Sequence, residues 1–181
     1  MQRLIPRPLA ALLGLLLMAI VLLVPGTAHA LDTSGGAGLS ERALFQETVD
    51  YTLTNQSDQD FSGQQLANTS FAGAVGRRAN FAGANLHGAI LTQGAFPQAD
   101  FHGADLSDAL MDRADFSNTD LRDAVLTGVI ASGSSFTGAQ VEGADFTDAL
   151  IDRADQRLLC RDAEGTNPVT GADTRASLGC G

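Results

Sequence analysis

Ala79-Asn80-Phe81-Ala82-Gly83-Ala84-Asn85-Leu86-His87-Gly88-Ala89 places a large apolar residue at Phe81, another at Leu86, and a small residue two places before each. Ala99 to Ala109 repeats the arrangement around Phe101 and Leu106. Stepping by five from Phe61 to Ile151 gives nineteen positions, of which seventeen are Phe, Leu, Met, Val or Ile. Gly76 and Ala131 are the departures, and twelve of the nineteen residues two places earlier are Ala. The register never slips. A period of five fits neither an α-helix at 3.6 nor a flat strand at 2. It fits a chain that turns a corner after each unit, so that every central residue points to one axis.

Four such units make a square coil of twenty residues. Its backbone N–H and C=O groups pair with the coils above and below, at a spacing of about 4.8 Å. The central residues fill the axis. The small residues two places earlier line the corners, where a bulkier side chain would overfill the tube. Glycines two places after the centre (Gly63, Gly73, Gly83, Gly88, Gly103, Gly128, Gly138, Gly143) permit tight turns. The centres sort into four columns. Phe61, Phe81 and Phe101 begin one, Leu86, Leu106 and Leu126 belong to the next, and Phe96, Phe116 and Phe136 stack above Gly76 in the fourth. About 4.7 coils at strand spacing make a rod roughly 22 Å tall. Gly76 reads as a gap that a terminal element fills.

The ends read differently. Arg3 and Arg7 precede an unbroken apolar run from Leu9 to Val24, Pro25-Gly26 breaks it, and Ala28-His29-Ala30 presents small residues for cleavage. Residues 1–30 are therefore expected to be a signal peptide, removed after Ala30, and the membrane is expected to be met only through it. Residues 31–50 read as a flexible lead and a capping helix that begins near Ser40. The array is expected over 51–155, and residues 156–181 form a tail, Gln156 ending the pattern because an amide cannot replace Phe in a dry core. Cys160 and Cys180, the only cysteines, both lie in that tail. In an exported chain an even pair reads as a disulfide. No His lies nearby to complete a metal site, and the spacing is far from C-x-x-C.

The quoted units resemble the A-(D/N)-L-x-x unit of pentapeptide repeat proteins. That resemblance implies an all-β fold, a right-handed quadrilateral β-helix, and no established catalytic activity. The exported start, the paired cysteines, and the tail from Leu158 through Gly165-Thr166-Asn167-Pro168 to Gly171 resemble the exported thylakoid-lumen members of cyanobacteria and plants. In those members the tail caps the solenoid and a disulfide clamps it; their biochemical role is not settled.

Composition narrows function further. All eleven basic residues are Arg; without Arg3 and Arg7, nine face twenty-one acids, 9 − 21 = −12. So acidic a chain is a poor match for nucleic-acid phosphates or anionic lipid. No enzyme, cofactor or metal site is expected. His87 and His102 fall on neighbouring sides, the Asp60, Asn80, Asp100, Asp120, Gln140 column reads as a solvated ladder, and calcium would want six or more convergent oxygens. One exterior feature differs. The residue before each centre is mostly polar on three sides, but on the third it is Ser70, Ile90, Leu110, Ile130 and Leu150. Such an aliphatic strip is either covered by a terminal helix or exposed for docking, to another subunit or to a membrane complex. The expected function is an interaction scaffold in a thylakoid lumen or periplasm, in support of photosynthetic complexes. The alternative, by resemblance to cytoplasmic members, is an acidic rod that mimics DNA and binds DNA gyrase.

Overall fold

The computed structural model describes residues 49–181. The expected leader, and the helix expected from Ser40, lie outside the described residues. From Asp50 onward the chain winds in square coils. Parallel bridges join residues twenty apart, such as Asp60 to Asn80 to Asp100 to Asp120 to Gln140, and all four sides keep that step without a slip. On the third side the last bridge lengthens into a two-stranded parallel sheet, β1 (Ile130–Ala131) and β2 (Leu150–Ile151), with Ile130 opposite Leu150.

Each five-residue unit disposes of its backbone in the same way. Around Phe61, the Phe61 N–H donates to Asn80 O and the Gly63 N–H to Ala82 O in the coil above, while the Asn80 N–H donates down to Gln59 O. The Gln64 N–H closes the corner on Phe61 O at 3.1 Å. The residue two after each centre has positive φ at all twenty corners from Leu53 to Asp148. Nine are Gly, and six of the other eleven are Asn or Asp, the side chains that best tolerate this region.

The axis is dry. Phe61, Phe81 and Phe101 stack at 4.9 and 4.8 Å between ring centroids, and Phe96, Phe116 and Phe136 at 5.6 Å each. Leu86, Leu106 and Leu126 are fully buried beside them, and the corner-lining Ala79, Ala84, Ala89 and Ala104 are equally closed to solvent. Tyr51 extends the ring column of the third side downward, stacked on Phe71 at 4.7 Å. No separate element fills the space at Gly76: the Phe96 ring occupies it, and an added Cβ there would lie 2.6 Å from Phe96 Cδ1.

The boundaries shift from those read in the sequence. Asp50 already bridges to Ser70, so the array starts one residue earlier than expected. It ends at Ile151 rather than at 155, because Asp152 stands at the N-cap of a helix, α1 (Arg153–Leu159). A short second helix, α2 (Thr174–Ser177), has Asp173 accepting from the Ala176 N–H at its start. Cys160 and Cys180 are disulfide-bonded, Cα to Cα 5.7 Å. The tail meets the upward-facing groups of the last coil. The Gly143 N–H donates to Glu164 O, the Phe146 N–H to Ser177 Oγ, and the Asn167 amide donates to the carbonyls of Asp123, Ala124 and Gly143. Leu159, Ala163 and Leu178 join the core from above.

Candidate functional site

The unit leaves one backbone donor over, the N–H just after the centre. Asp and Asn one place before the centre accept it, forming a local turn. Asp60 accepts from Ser62, Asn80 from Ala82, Asp100 from His102 and Asp120 from Arg122, all within 3.0 Å. Asn85, Asp105 and Asp145 do the same on the second side, and Asp115 on the fourth. Where Ala95 has nothing to accept with, the residue after the centre is Pro97, which has no N–H to satisfy.

The third side breaks this rule coil after coil. Ile90, Leu110 and Ile130 carry no acceptor, and the N–H groups of Thr92, Asp112 and Ser132 find none among the described residues. Elsewhere the larger aliphatics at this position, Val75 and Val125, stand singly on different sides. Ile90 and Ile130 are half-buried, while Leu110 is 36% and Leu150 59% exposed. The strip therefore presents apolar surface to the outside, most of it at Leu110 and Leu150. Arginines border one edge at Arg113 and Arg153, and acids the other at Asp108 and Asp148.

Outside the strip, Val49, Leu53, Val75 and Val169 are exposed singly, and the rest of the described exterior is polar. Arg78 forks onto Asp58 at 2.7 and 2.8 Å, which lowers the Asp58 pKa and raises its own. In the acidic ladder, Arg122 Nε donates to Asp120 Oδ1 at 2.9 Å and holds that carboxyl below the usual range, so the ladder carries its own counter-charge. His87 Nδ1 lies 2.9 Å from Ser107 Oγ, and His102 is exposed on the neighbouring side. Among the described residues no three His, Cys, Asp or Glu groups are placed to share a metal ion, and no helix is long and apolar enough to cross a membrane. A depression between the last coil and the tail gathers Arg122, Glu142, Asp162 and Glu164, without a nucleophile and base in reach of each other. The strip was legible in the sequence. The spare N–H groups behind it, and the amide of Asn167 against the last coil, were not, because both depend on which backbone donors the coils leave unpaired.

This geometry defines a class, the four-sided β-solenoid with five residues to a side. Residues 60–93 and 109–148 match the family model for pentapeptide repeats, in eight copies. A solved pentapeptide repeat protein from the Arabidopsis thaliana thylakoid lumen is 38% identical, over 72% of this chain and 90% of its own, with a TM-score of 0.60. The chain belongs to the pentapeptide repeat family, whose members wind as right-handed quadrilateral β-helices and are generally structural or interaction modules. Two other solved structures are more distant. Rfr23 from the cyanobacterium Cyanothece is 25% identical over 57% of this chain and 65% of its own, TM-score 0.34. QnrB1, a plasmid-mediated fluoroquinolone resistance protein, is 14% identical over 63% of this chain and 84% of its own, TM-score 0.17. No curated protein matches the chain.

Proposed function

We propose that the protein is a non-enzymatic scaffold, exported to a thylakoid lumen or periplasm, that docks a protein partner on its third side and supports photosynthetic complexes there. One observation carries the docking reading. Three successive coils of that side give up a turn hydrogen bond, worth about 1 kcal/mol each, and place aliphatic surface outward instead. Folding alone favours Asp or Asn at those positions, residues that hold most of them on the other sides, and a run of aliphatics on successive coils of one side points to a use outside the fold. The compartment rests on the leader read at residues 1–30, on the disulfide in the tail, and on the relative from the Arabidopsis lumen. The tail, by satisfying the top coil's donors, also removes an edge on which rods would stack end to end.

The double variant Leu110→Asn, Ile130→Asn tests the docking reading. Solubilised photosynthetic membrane complexes are expected to retain the wild-type protein and to lose the variant, both being folded by circular dichroism. Equal retention of the two overturns the proposal. Inhibition of gyrase supercoiling by the purified protein would replace it with the acidic DNA-mimic reading.

A further inference from the structure

We propose that the occupant of the third side is a second copy of this chain, lying alongside and pointing the same way. The inference rests on the docking reading above and names its partner. The side lies between two corners. The leading corner carries Asn68, Gly88, Asp108, Gly128 and Asp148, and the trailing corner Gly73, Gln93, Arg113 and Gly133, after which Arg153 follows as the first residue of α1. Acid and arginine thus face each other across the strip at the corners Asp108 and Arg113, and past the last corner, Asp148, comes Arg153 at the start of α1. No other side of the described rod has opposite charges on its two corners at one level.

Among the described residues these charges are left largely unpaired. Arg113, Arg153 and Asp148 form no ion pair among the described residues, and Asp108 has only the His87 imidazole at 3.9 Å. A face with acids on one edge, arginines on the other and aliphatics between complements itself about a single direction of two-fold axis. An axis parallel to the rod carries the acid edge of one copy onto the arginine edge of the other, at the same coil. An axis lying across the face would set acid on acid and arginine on arginine. The parallel arrangement also places Ile90, Leu110, Ile130 and Leu150 each beside its own copy, an unbroken apolar seam. Asp112 and Asp152, next to the arginines, reduce the attraction, although Asp152 is already engaged by the Gly133 N–H at 2.9 Å. One side of so slim a rod buries less than about 1,200 Å² in total, the size of a reversible contact.

Sedimentation of the protein, expressed with its leader and purified in its mature form, tests this across concentrations up to about 1 mM. The wild type is expected to approach twice the mass of one chain, and less so in 1 M salt, where the Debye length falls to about 3 Å. Asp108→Arg with Asp148→Arg is expected to stay at the mass of one chain, as is Arg113→Asp with Arg153→Asp. The fourfold exchange restores the dimer, since acid and arginine again face each other. The corners Asp108, Arg113 and Asp148 accept the changes, since Arg78 and Arg113 already sit at such positions with φ of 55° and 56°, and Arg153 lies in the first turn of α1. A wild type that stays monomeric overturns the proposal, as does a fourfold variant that fails to pair. If the monomeric wild type still loses its membrane complex through Leu110→Asn and Ile130→Asn, self-association fails and the docking reading stands. If that retention is unaffected as well, both fail.

Discussion

Gly76 and Phe96 share one space: a Cβ added to Gly76 would sit 2.6 Å from Cδ1 and 2.9 Å from Cε1 of the Phe96 ring, one coil above. The glycine therefore holds a central position of the repeat because its neighbour already fills the axis there. Gly76→Leu, which would make the repeat more regular, is expected to destabilise the protein by about 1–3 kcal/mol through overpacking. Adding Phe96→Ala to it should recover part of that loss, whereas Phe96→Ala alone opens a cavity in the core. Chemical denaturation of the two single variants and the double checks the coupling; additive losses would mean that the two side chains do not compete.

The turn hydrogen bond allows the sign of a surface change to be predicted from the side on which it falls. Asp105 accepts from both the N–H and the hydroxyl of Ser107, at 3.0 and 2.6 Å. Asp105→Leu is expected to cost about 1–2 kcal/mol, because the Ser107 N–H loses its acceptor. The reverse change on the third side behaves differently. Leu110→Asn gives the Asp112 N–H an acceptor while losing part of an aliphatic contact, so its melting temperature should stay near wild type or rise. A Leu110→Asn loss as large as that of Asp105→Leu would show that Leu110 serves the fold itself.

Much of the fold is legible in the sequence, and the reason is the period. Seventeen apolar centres at an unbroken step of five leave one way to bury them, and the step of twenty between bridged residues follows from four such units. What the period cannot encode is what happens where it is interrupted. Gly76 looks like a vacancy along the chain, but the ring that fills it belongs to a residue twenty positions on. Corners at Gln93, Gln98 and Arg113 adopt positive φ although their side chains do not favour it, because the ladders above and below fix the backbone there. Ile151 keeps the repeat register, yet the coil stops behind it, since Asp152 starts a helix whose packing depends on the tail. The opposed charges of Asp108 and Arg113 emerge only once the corners are assigned to the edges of one side.

The tail's hold on the last coil should fail locally before the rod does. Cys160 and Cys180 close a loop of 20 residues that includes Asn167, whose amide serves three carbonyls of the last two coils. Removing both cysteines is expected to cost roughly 3 kcal/mol in the chain-entropy account. Asn167→Ala, which leaves buried carbonyls without a donor, should cost about 1–3 kcal/mol. Hydrogen exchange reads the locality. The Gly143 and Phe146 amides, bonded to Glu164 and Ser177, should exchange faster in either variant, while the Phe81 and Leu86 amides stay protected. Uniform acceleration along the rod would mean that tail and coils unfold as one unit.

Acid should weaken the protein through the carboxylates that accept turn hydrogen bonds. Asp120 lies below its usual range because of Arg122. For Asp145, burial pushes the pKa up, but hydrogen bonds from Thr147 and Thr170 outweigh it and leave it lowered. A carboxyl whose folded pKa is depressed contributes stability that is fully present above its unfolded pKa of about 3.9, and loses it as pH falls through the folded value. Melting temperature should therefore be nearly flat from pH 7 to about 5 and drop below about pH 4. Asp145→Asn keeps an acceptor for the Thr147 N–H but cannot titrate, so the acid-side drop should shrink in that variant while the neutral-pH melt changes little. The same steep drop in wild type and variant would place the acid sensitivity elsewhere in the chain.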